Sequence, residues 1–442
     1  MENDLLRIRK KAEGEAGLRF TTLYHHVTRK ENLTACFNEI EPGAAPGVDG
    51  VTKDKYGEQL ESNINQLSER LARMGYRPQP VRRVWIPKPG TTKKRPLGVP
   101  AIEDKVVQAA LTRVLGAIYE ADFLDCSYGY RPRRSQHDAL AALGQTIQRK
   151  KVSWIVEADI RGFFDHVNHE WLKKFLEKRI GDPRILRLIV RLLKGGVMED
   201  GLVSVSEEGT PQGAILSPLL SNVYLHYTLD LWFERRFQKS CRGEAYLFRY
   251  ADDFVACFQY RDEAERFKAE LKARLKEFHL ELEDSKTRLL QFGRFARQQA
   301  EVAGREPETF EFLGFTHHCG QTRQGSFKVQ RRTSTKKFRG KLRELRNWIK
   351  GSRTQKTHLL LRGAKVRLQG WLNYYAITDN SRSCAAFRSQ FERLLFKWLN
   401  RRSQRSSYTW PEFWNALRWV GWPSIRINRN LDPFRRVAPK EC

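Results

Sequence analysis

No stretch of this 442-residue chain approaches the roughly 20 consecutive apolar residues that a membrane-spanning helix needs. The opening run, Met1 to Lys11, has no apolar core of the kind a secretory signal carries. Cysteine is sparse: the seven, at 36, 126, 241, 257, 319, 384 and 442, never form a Cys-x-x-Cys pair. That pattern argues against zinc modules and disulfide frameworks, and for a soluble chain in a reducing cytoplasm. Histidine stops at His358, so a late metal-dependent nuclease built on His and Cys clusters is not expected. Acidic residues also run short late in the chain. Residues 321–442 hold 29 Lys and Arg against 6 Asp and Glu, a surplus of +23 out of +29 for the whole sequence. Clustering of that kind favours a nucleic-acid partner, because neutralising phosphates releases their counterions; a solvated basic surface is the other reading.

What is present begins with two adjacent aspartates, Asp252 and Asp253, in Tyr246-Leu247-Phe248-Arg249-Tyr250-Ala251-Asp252-Asp253-Phe254-Val255-Ala256-Cys257-Phe258. Apolar, aromatic and β-branched flanks predict strand, tight turn, strand. Two carboxylates at a hairpin tip repel each other unless a cation lies between them. An Asp-bearing surface turn fits the pair equally well. The segment Trp154 to Ile160 alternates, with Trp154, Val156, Ala158 and Ile160 on one face and Ile155, Glu157 and Asp159 on the other. Asp159 thereby ends a strand, pointing away from an apolar face. A strand-end carboxylate opposite a hairpin-tip pair suits two divalent cations about 3.5–4 Å apart, acting on a hydroxyl nucleophile and a departing pyrophosphate. A capping or turn-forming Asp159 is the alternative.

Around this pair, residues 1–80 mix amphipathic stretches with the turn-rich break Glu41 to Gly50. Arg82 to Pro87 and Leu97 to Pro100 read as short strands flanking the basic loop Lys88 to Pro96. Ile102 to Tyr119 carries helical apolar spacing, and strands alternate with helices to about residue 320, an α/β or α+β pattern. From about residue 330 the chain turns to helices rich in Lys, Arg and Trp: Lys336 to Lys350, Leu359 to Ala376 and Ala386 to Asn400. A basic linker, Arg401 to Ser407, precedes a small Trp-rich module.

Taken together, these motifs resemble those of reverse transcriptases. Tyr250-Ala251-Asp252-Asp253 resembles the family's metal-binding box, and Asp159-Ile160-Arg161-Gly162-Phe163-Phe164-Asp165 its first carboxylate motif. Gly209 to Asn222, between them, is similar to the motif beneath template and incoming nucleotide. The resemblance implies a right-hand α+β polymerase with an antiparallel palm sheet, an all-helical thumb and a basic C-terminal module. It implies catalytic and metal-binding roles for Asp159, Asp252 and Asp253. It assigns Lys88 and Arg95 to the nucleotide triphosphate, Phe164 to blocking a ribose 2′-hydroxyl, and Gln212 to positioning nucleotide and template. Lys286 matches a lysine proposed to protonate pyrophosphate, a role that needs its pKa lowered. Glu311-Phe312-Leu313-Gly314-Phe315 resembles the primer-grip hairpin, while Asp49, Asp104 and Asp165 read as structural.

Within that family, Tyr128 to Ala139, Lys94 to Pro100 and Arg367 to Tyr375 resemble segments of group II intron-encoded enzymes, including their maturase or thumb domain. The expected division is 1–80 for an N-terminal extension and the start of the fingers, 81–320 for fingers and palm, 321–400 for the thumb and 401–442 for a basic module and possible DNA-binding region. The resemblance implies two Mg²⁺ ions, dNTPs, an RNA or DNA template with a DNA primer, group II intron RNA and target DNA as partners, in a bacterial cytoplasm or nucleoid. Expected RNA contacts are Arg131, Lys336, Lys337, Arg339, Lys341, Arg343 and Arg346, with stacking on Trp348, Trp371, Tyr374, Tyr375 and Trp398; core packing of these aromatics is the alternative. No nuclease domain of the family's longer members is expected after the thumb. A maturase that only binds RNA, and a reverse transcriptase working free of any intron, are the rival readings.

Overall fold

The computed structural model describes residues 2–87, 94–199, 201–204, 208–210, 212–322, 324–402 and 407–432. Its strands are β1 (Val81–Pro87), β2 (Lys94–Val99), β3 (Trp154–Asp159), β4 (Val197–Glu199), β5 (Leu202–Ser204), β6 (Ala245–Tyr250), β7 (Asp253–Phe258), β8 (Arg288–Gln291), β9 (Phe310–Phe312), β10 (Phe315–Gln321) and β11 (Phe327–Thr333). They form three sheets, ordered β2-β1-β4-β5, β6-β7-β3-β8 and β11-β10-β9.

The second sheet is the palm, antiparallel throughout. Its strands are buried on both faces, and period-two alternation sorts their side chains between two cores. Val156, Ala158, Leu247, Phe254, Ala256 and Phe258 face a core shared with the N-terminal helices. Ile155, Phe248, Val255, Cys257 and Leu290 face a core shared with the thumb helices. The helix Ile102–Asp122 anchors the first core, with Val106, Val107, Ala110, Leu111, Val114, Leu115 and Ile118 all buried. A helix buried on so many sides belongs at the centre of its domain, and N-terminal helices cover it.

The second core is built on the helices Thr335–Ser352, Thr357–Tyr375 and Ser381–Leu399. They follow β11 directly, so the sheet-to-helix change near residue 330 falls where the sequence pattern changes. The last described helix, Trp410–Trp419, starts on a capping box between Thr409 and Glu412. Its Phe413 and Leu417 join the same core, and Trp410 stacks on Phe396 at 3.9 Å. Several thumb aromatics expected at an RNA surface are instead packing residues. Trp371 stacks flat on Phe387 at 4.0 Å, and Trp371, Tyr375 and Trp398 are buried. Helical spacing put them on the apolar face, where their large area is worth more against neighbours than in solvent. Among the described residues no helix is long and apolar enough to cross a membrane.

Candidate active site

The two-residue link Ala251-Asp252 joins β6 to β7, with Tyr250 opposite Asp253. On the other side of β7, Asp253 pairs directly with Asp159 of β3. Alternation then sends Glu157, Asp159 and Asp253 to one face, as the spacing of Trp154 to Ile160 predicts. Like charges directly opposite on neighbouring strands repel. Burial, reinforced by Asp159 and Asp252, pushes the Asp253 carboxyl up to about 8. Burial also raises Asp252, with Asp159 adding to it. Lys286, in the short turn Asp284–Lys286, donates a hydrogen bond to Asp159. Burial works to lower the Lys286 pKa, but its contact with Asp159 outweighs that and the net shift is upward. The lowered pKa that a general acid needs is therefore absent from this arrangement.

Ala251 has φ 57°, a left-handed conformation that costs a residue with a Cβ roughly 1–2 kcal/mol. A buried polar network holds it there. Arg249, fully buried, donates from Nε and Nη2 to both oxygens of Asp230 at 2.8 and 2.5 Å. It also donates to Asn222 Oδ1 at 3.0 Å, to Ser127 Oγ at 2.7 Å and to the Ala251 carbonyl at 3.0 Å. Asn222 in turn donates to the Gly129 carbonyl. Gly129 lies so close to the turn that a Cβ would come within 2.4 Å of the Ala251 nitrogen. None of Arg249, Asp230, Asn222, Ser127 or Gly129 stood out as functional in the sequence. The available signal was a charge inside each of two apolar runs, Leu247 to Tyr250 and Leu229 to Trp232.

The carboxylates open into a cleft of ≈ 730 Å³ bordered by fingers, palm and thumb. Arg95 reaches it from β2 and Gln212 from the loop before the helix Ser217–Leu225. The two are fixed to each other through backbone, because the Gly98 amide donates to the Gln212 carbonyl at 2.6 Å. Gly213 permits this approach: its φ is 104°, and a Cβ would lie 2.8 Å from the Gly98 carbonyl. Phe164 lines the cleft beside Asp165, edge-on to the buried Phe163. Asp165, expected to be structural, also reaches the cleft, where Gln212 Nε2 lies 3.5 Å from its Oδ1. Asp104 is structural, buried and accepting from Tyr76 and the Gln79 amide. Asp49 accepts from the Val51 amide. Lys88 lies outside the described residues.

Of the basic residues expected to meet RNA, Arg131 is corrected. It is 8 % exposed, pairs through Nε with Glu120, and donates from Nη1 to the carbonyls of Leu124 and Ser127. A guanidinium satisfied inside the protein braces the loop ahead of the helix Gln136–Arg149 rather than reading phosphate. Lys336 and Lys337 border the cleft, and Arg339, Arg343 and Arg346 are exposed on the same helix. Lys341 pairs with Glu344 at 2.6 Å.

Among the described residues no three His, Cys, Asp or Glu side chains form a metal cage by themselves. Mg²⁺ seldom needs one, since it takes one or two carboxylates and completes its shell with water and substrate phosphates. The facing Asp159 and Asp253, with Asp252 beside them, suit such an ion: burial, and then repulsion from Asp159 and Asp252, raises the Asp253 pKa, and a cation relieves both.

Comparison with known proteins agrees with this geometry. The sequence profile of the reverse transcriptase (RNA-dependent DNA polymerase) family matches residues 86–317. That of the group II intron maturase-specific domain matches residues 335–418. The group II intron-encoded protein LtrA of Lactococcus lactis subsp. cremoris is 38% identical over 224 residues, covering 50% of this chain and 37% of LtrA. Protein YkfC of Escherichia coli strain K12 is 34% identical over 279 residues, 55% of this chain and 72% of YkfC. Nuclear intron maturase 1, mitochondrial, of Arabidopsis thaliana is 30% identical over 95 residues, 22% of this chain and 13% of that protein. The chain thus spans little more than a third of LtrA's length. Family enzymes of this kind work with divalent metals. With a polymerase palm, a maturase-type thumb and these two matches in chain order, the chain belongs to the reverse transcriptases of group II introns.

Proposed function

We propose that the chain is an RNA-directed DNA polymerase that copies group II intron RNA from a DNA primer and binds the same RNA to assist splicing and mobility. The observation that carries this reading is the register pairing of Asp159 with Asp253, with Asp252 at the adjoining turn, in a cleft that Arg95, Gln212 and the thumb lysines border. Asp159, Asp252 and Asp253 would hold two Mg²⁺ ions, which when bound activate a primer 3′-hydroxyl and stabilise the pyrophosphate leaving group. The protein's own groups do the rest. Arg95 offers a cation to the triphosphate, and Gln212 fixes the nucleotide against the template. Phe164 occupies the space a 2′-hydroxyl would need. In the division proposed here, 81–320 forms fingers and palm, 321–400 the thumb, and 401–442 a region meeting target DNA.

Lys286, which bonds Asp159, would offer its ammonium to the pyrophosphate beside that carboxylate. The reading is tested by extending a DNA primer on an RNA template with the purified chain. Asp252→Asn is expected to lower extension by at least roughly 10²–10³-fold while RNA affinity stays within about twofold. Undiminished extension would remove the carboxylates from the chemistry. RNA binding by a wild-type chain that never extends a primer would favour a maturase without polymerase activity.

A further inference from the structure

The turn between β9 and β10, Leu313-Gly314, touches the thumb on one side and a palm carboxylate on the other. Both its residues are left-handed, with φ 49° at Leu313 and 80° at Gly314. A branched aliphatic residue seldom adopts that conformation unless its surroundings impose it. Here the thumb imposes it. The Tyr374 hydroxyl donates to the Leu313 carbonyl at 2.6 Å. A Cβ on Gly314 would come within 2.9 Å of the Tyr375 hydroxyl, so the end of the same helix presses on the turn. The Ser334 amide, at the start of the thumb, donates to the Gly314 carbonyl at 3.0 Å. On the palm side, the Leu313 backbone amide faces the Asp253 carboxyl.

Tyr374 is itself well fixed. Its carbonyl accepts from His137 Nε2 at 2.8 Å, and its ring lies 5.6 Å from Phe315 and 4.8 Å from Tyr375. Helix Gln136–Arg149, helix Thr357–Tyr375 and the β9–β10 turn therefore meet at one side chain. The chain of contacts runs from the Tyr374 hydroxyl, through the carbonyl and amide of the single residue Leu313, to a carboxylate of the proposed metal site.

Building on the polymerase reading above, we infer that Tyr374 is a positioning residue: by bonding the Leu313 carbonyl it orients the adjoining amide toward Asp253, and so makes the carboxylate geometry depend on how the thumb is seated. The thumb carries the exposed basic helix, so a nucleic acid that seats the thumb also sets the carboxylate. Catalytic competence is then coupled to duplex occupancy, and not only to nucleotide binding. The cleft-facing aromatic ring of Tyr374 offers a simpler job, contact with the duplex itself, and the two differ in what they change.

The test is Tyr374→Phe in the full chain, which keeps the ring and removes the hydroxyl. Single-nucleotide extension is measured on an RNA template with a DNA primer while dNTP, duplex and MgCl₂ are varied in turn. Loss of one hydrogen bond that orients a charged group is expected to lower kcat by about 5–10-fold. Nucleotide KM and duplex Kd stay within about twofold. The MgCl₂ half-saturation point rises severalfold, and the Leu313 amide exchanges hydrogen faster. Unchanged kcat and MgCl₂ dependence would overturn the proposal. So would weaker duplex binding with unchanged kcat, which would make Tyr374 a duplex contact. Should Tyr374→Phe fail to fold, hydrogen exchange of the Leu313 amide in the wild-type chain reads the same coupling: binding an RNA–DNA duplex without dNTP is expected to slow it severalfold, and unchanged exchange would overturn the proposal. A wild-type chain that extends no primer at all fails earlier, on the polymerase reading itself.

Discussion

Palm and thumb handle charge in opposite ways. The palm concentrates it: three carboxylates share one end of a sheet, and an arginine and an aspartate, Arg249 and Asp230, are sealed beneath them. The thumb spreads it, with exposed lysines and arginines along one helix and aromatics turned inward to pack. In the palm Arg249 is fixed on Asp230 and Asp159 on Lys286, so one atom decides the outcome. In the thumb no single cation is decisive, and the effect comes from their sum in a screening solvent. Chemistry needs the first arrangement and grip on a long polyanion needs the second.

The largest break in that comparison is Asp230→Ala. It leaves Arg249 charged, buried and without its carboxylate, an omission that typically costs about 3–5 kcal/mol. Denaturant unfolding is expected to show that loss together with loss of primer extension, because the Ala251 turn is released. Arg249→Met with Asp230→Leu should recover much of the stability while activity stays low. Full activity in that double variant would mean the network does not position the turn.

Acid titration separates the two regions next. Burial raises the Asp104 pKa from 3.8 to about 6, against a partly offsetting hydrogen bond from Tyr76. A carboxyl whose folded pKa exceeds its unfolded value stabilises below about 4, and that stability is lost as pH rises through 6. The wild-type chain should therefore lose on the order of 2–3 kcal/mol relative to Asp104→Asn between pH 4 and 7. Neutralising exposed thumb cations should leave this difference unmoved. A pH-independent difference between wild type and Asp104→Asn would place the carboxyl in water.

Phe164→Ala probes the cleft at smaller cost. Opening the space beside Asp165 is expected to reduce discrimination against ribonucleotides by roughly 10–100-fold, read from paired dNTP and rNTP incorporation. Unchanged discrimination would take the sugar gate away from Phe164.

Much of this was legible in the sequence for physical reasons. Strand alternation placed Asp159 at a strand end away from the apolar face, and the resemblance to reverse transcriptase motifs named the carboxylates that register then brings together. Helical spacing located the ends of the first two thumb helices to within two residues, and the third starts five residues before the expected Ala386. Other features depended on contacts distant in sequence. Arg131 looked like a phosphate ligand because its partner, Glu120, is reached only when the intervening loop folds back. Lys286 looked like an acid awaiting a lowered pKa, yet its fold-level neighbour is Asp159. The Arg249 network joins residues 127, 222, 230 and 249, which no local pattern unites. Pairing across the sheet decides charge states, and one-dimensional spacing does not carry it.

The smallest effects belong to the thumb, and they sharpen the comparison because they should differ among cations that look alike in sequence. Each cation that neutralises a phosphate contributes roughly 0.7–0.9 to the slope of log affinity against log salt. Replacing Arg339, Arg343 and Arg346 together by Gln is thus expected to lower that slope by about two units, read from RNA-binding titrations between 50 and 200 mM salt. One of these changes alone should alter it by less than about one unit. Lys341→Gln should do least, because Glu344 already occupies its ammonium and phosphate would have to displace that partner. A Lys341 effect equal to that of Arg343 would mean the pair opens freely on binding. A triple variant with an unchanged slope would move the RNA surface off this helix and leave the positive charge of the thumb to some other face.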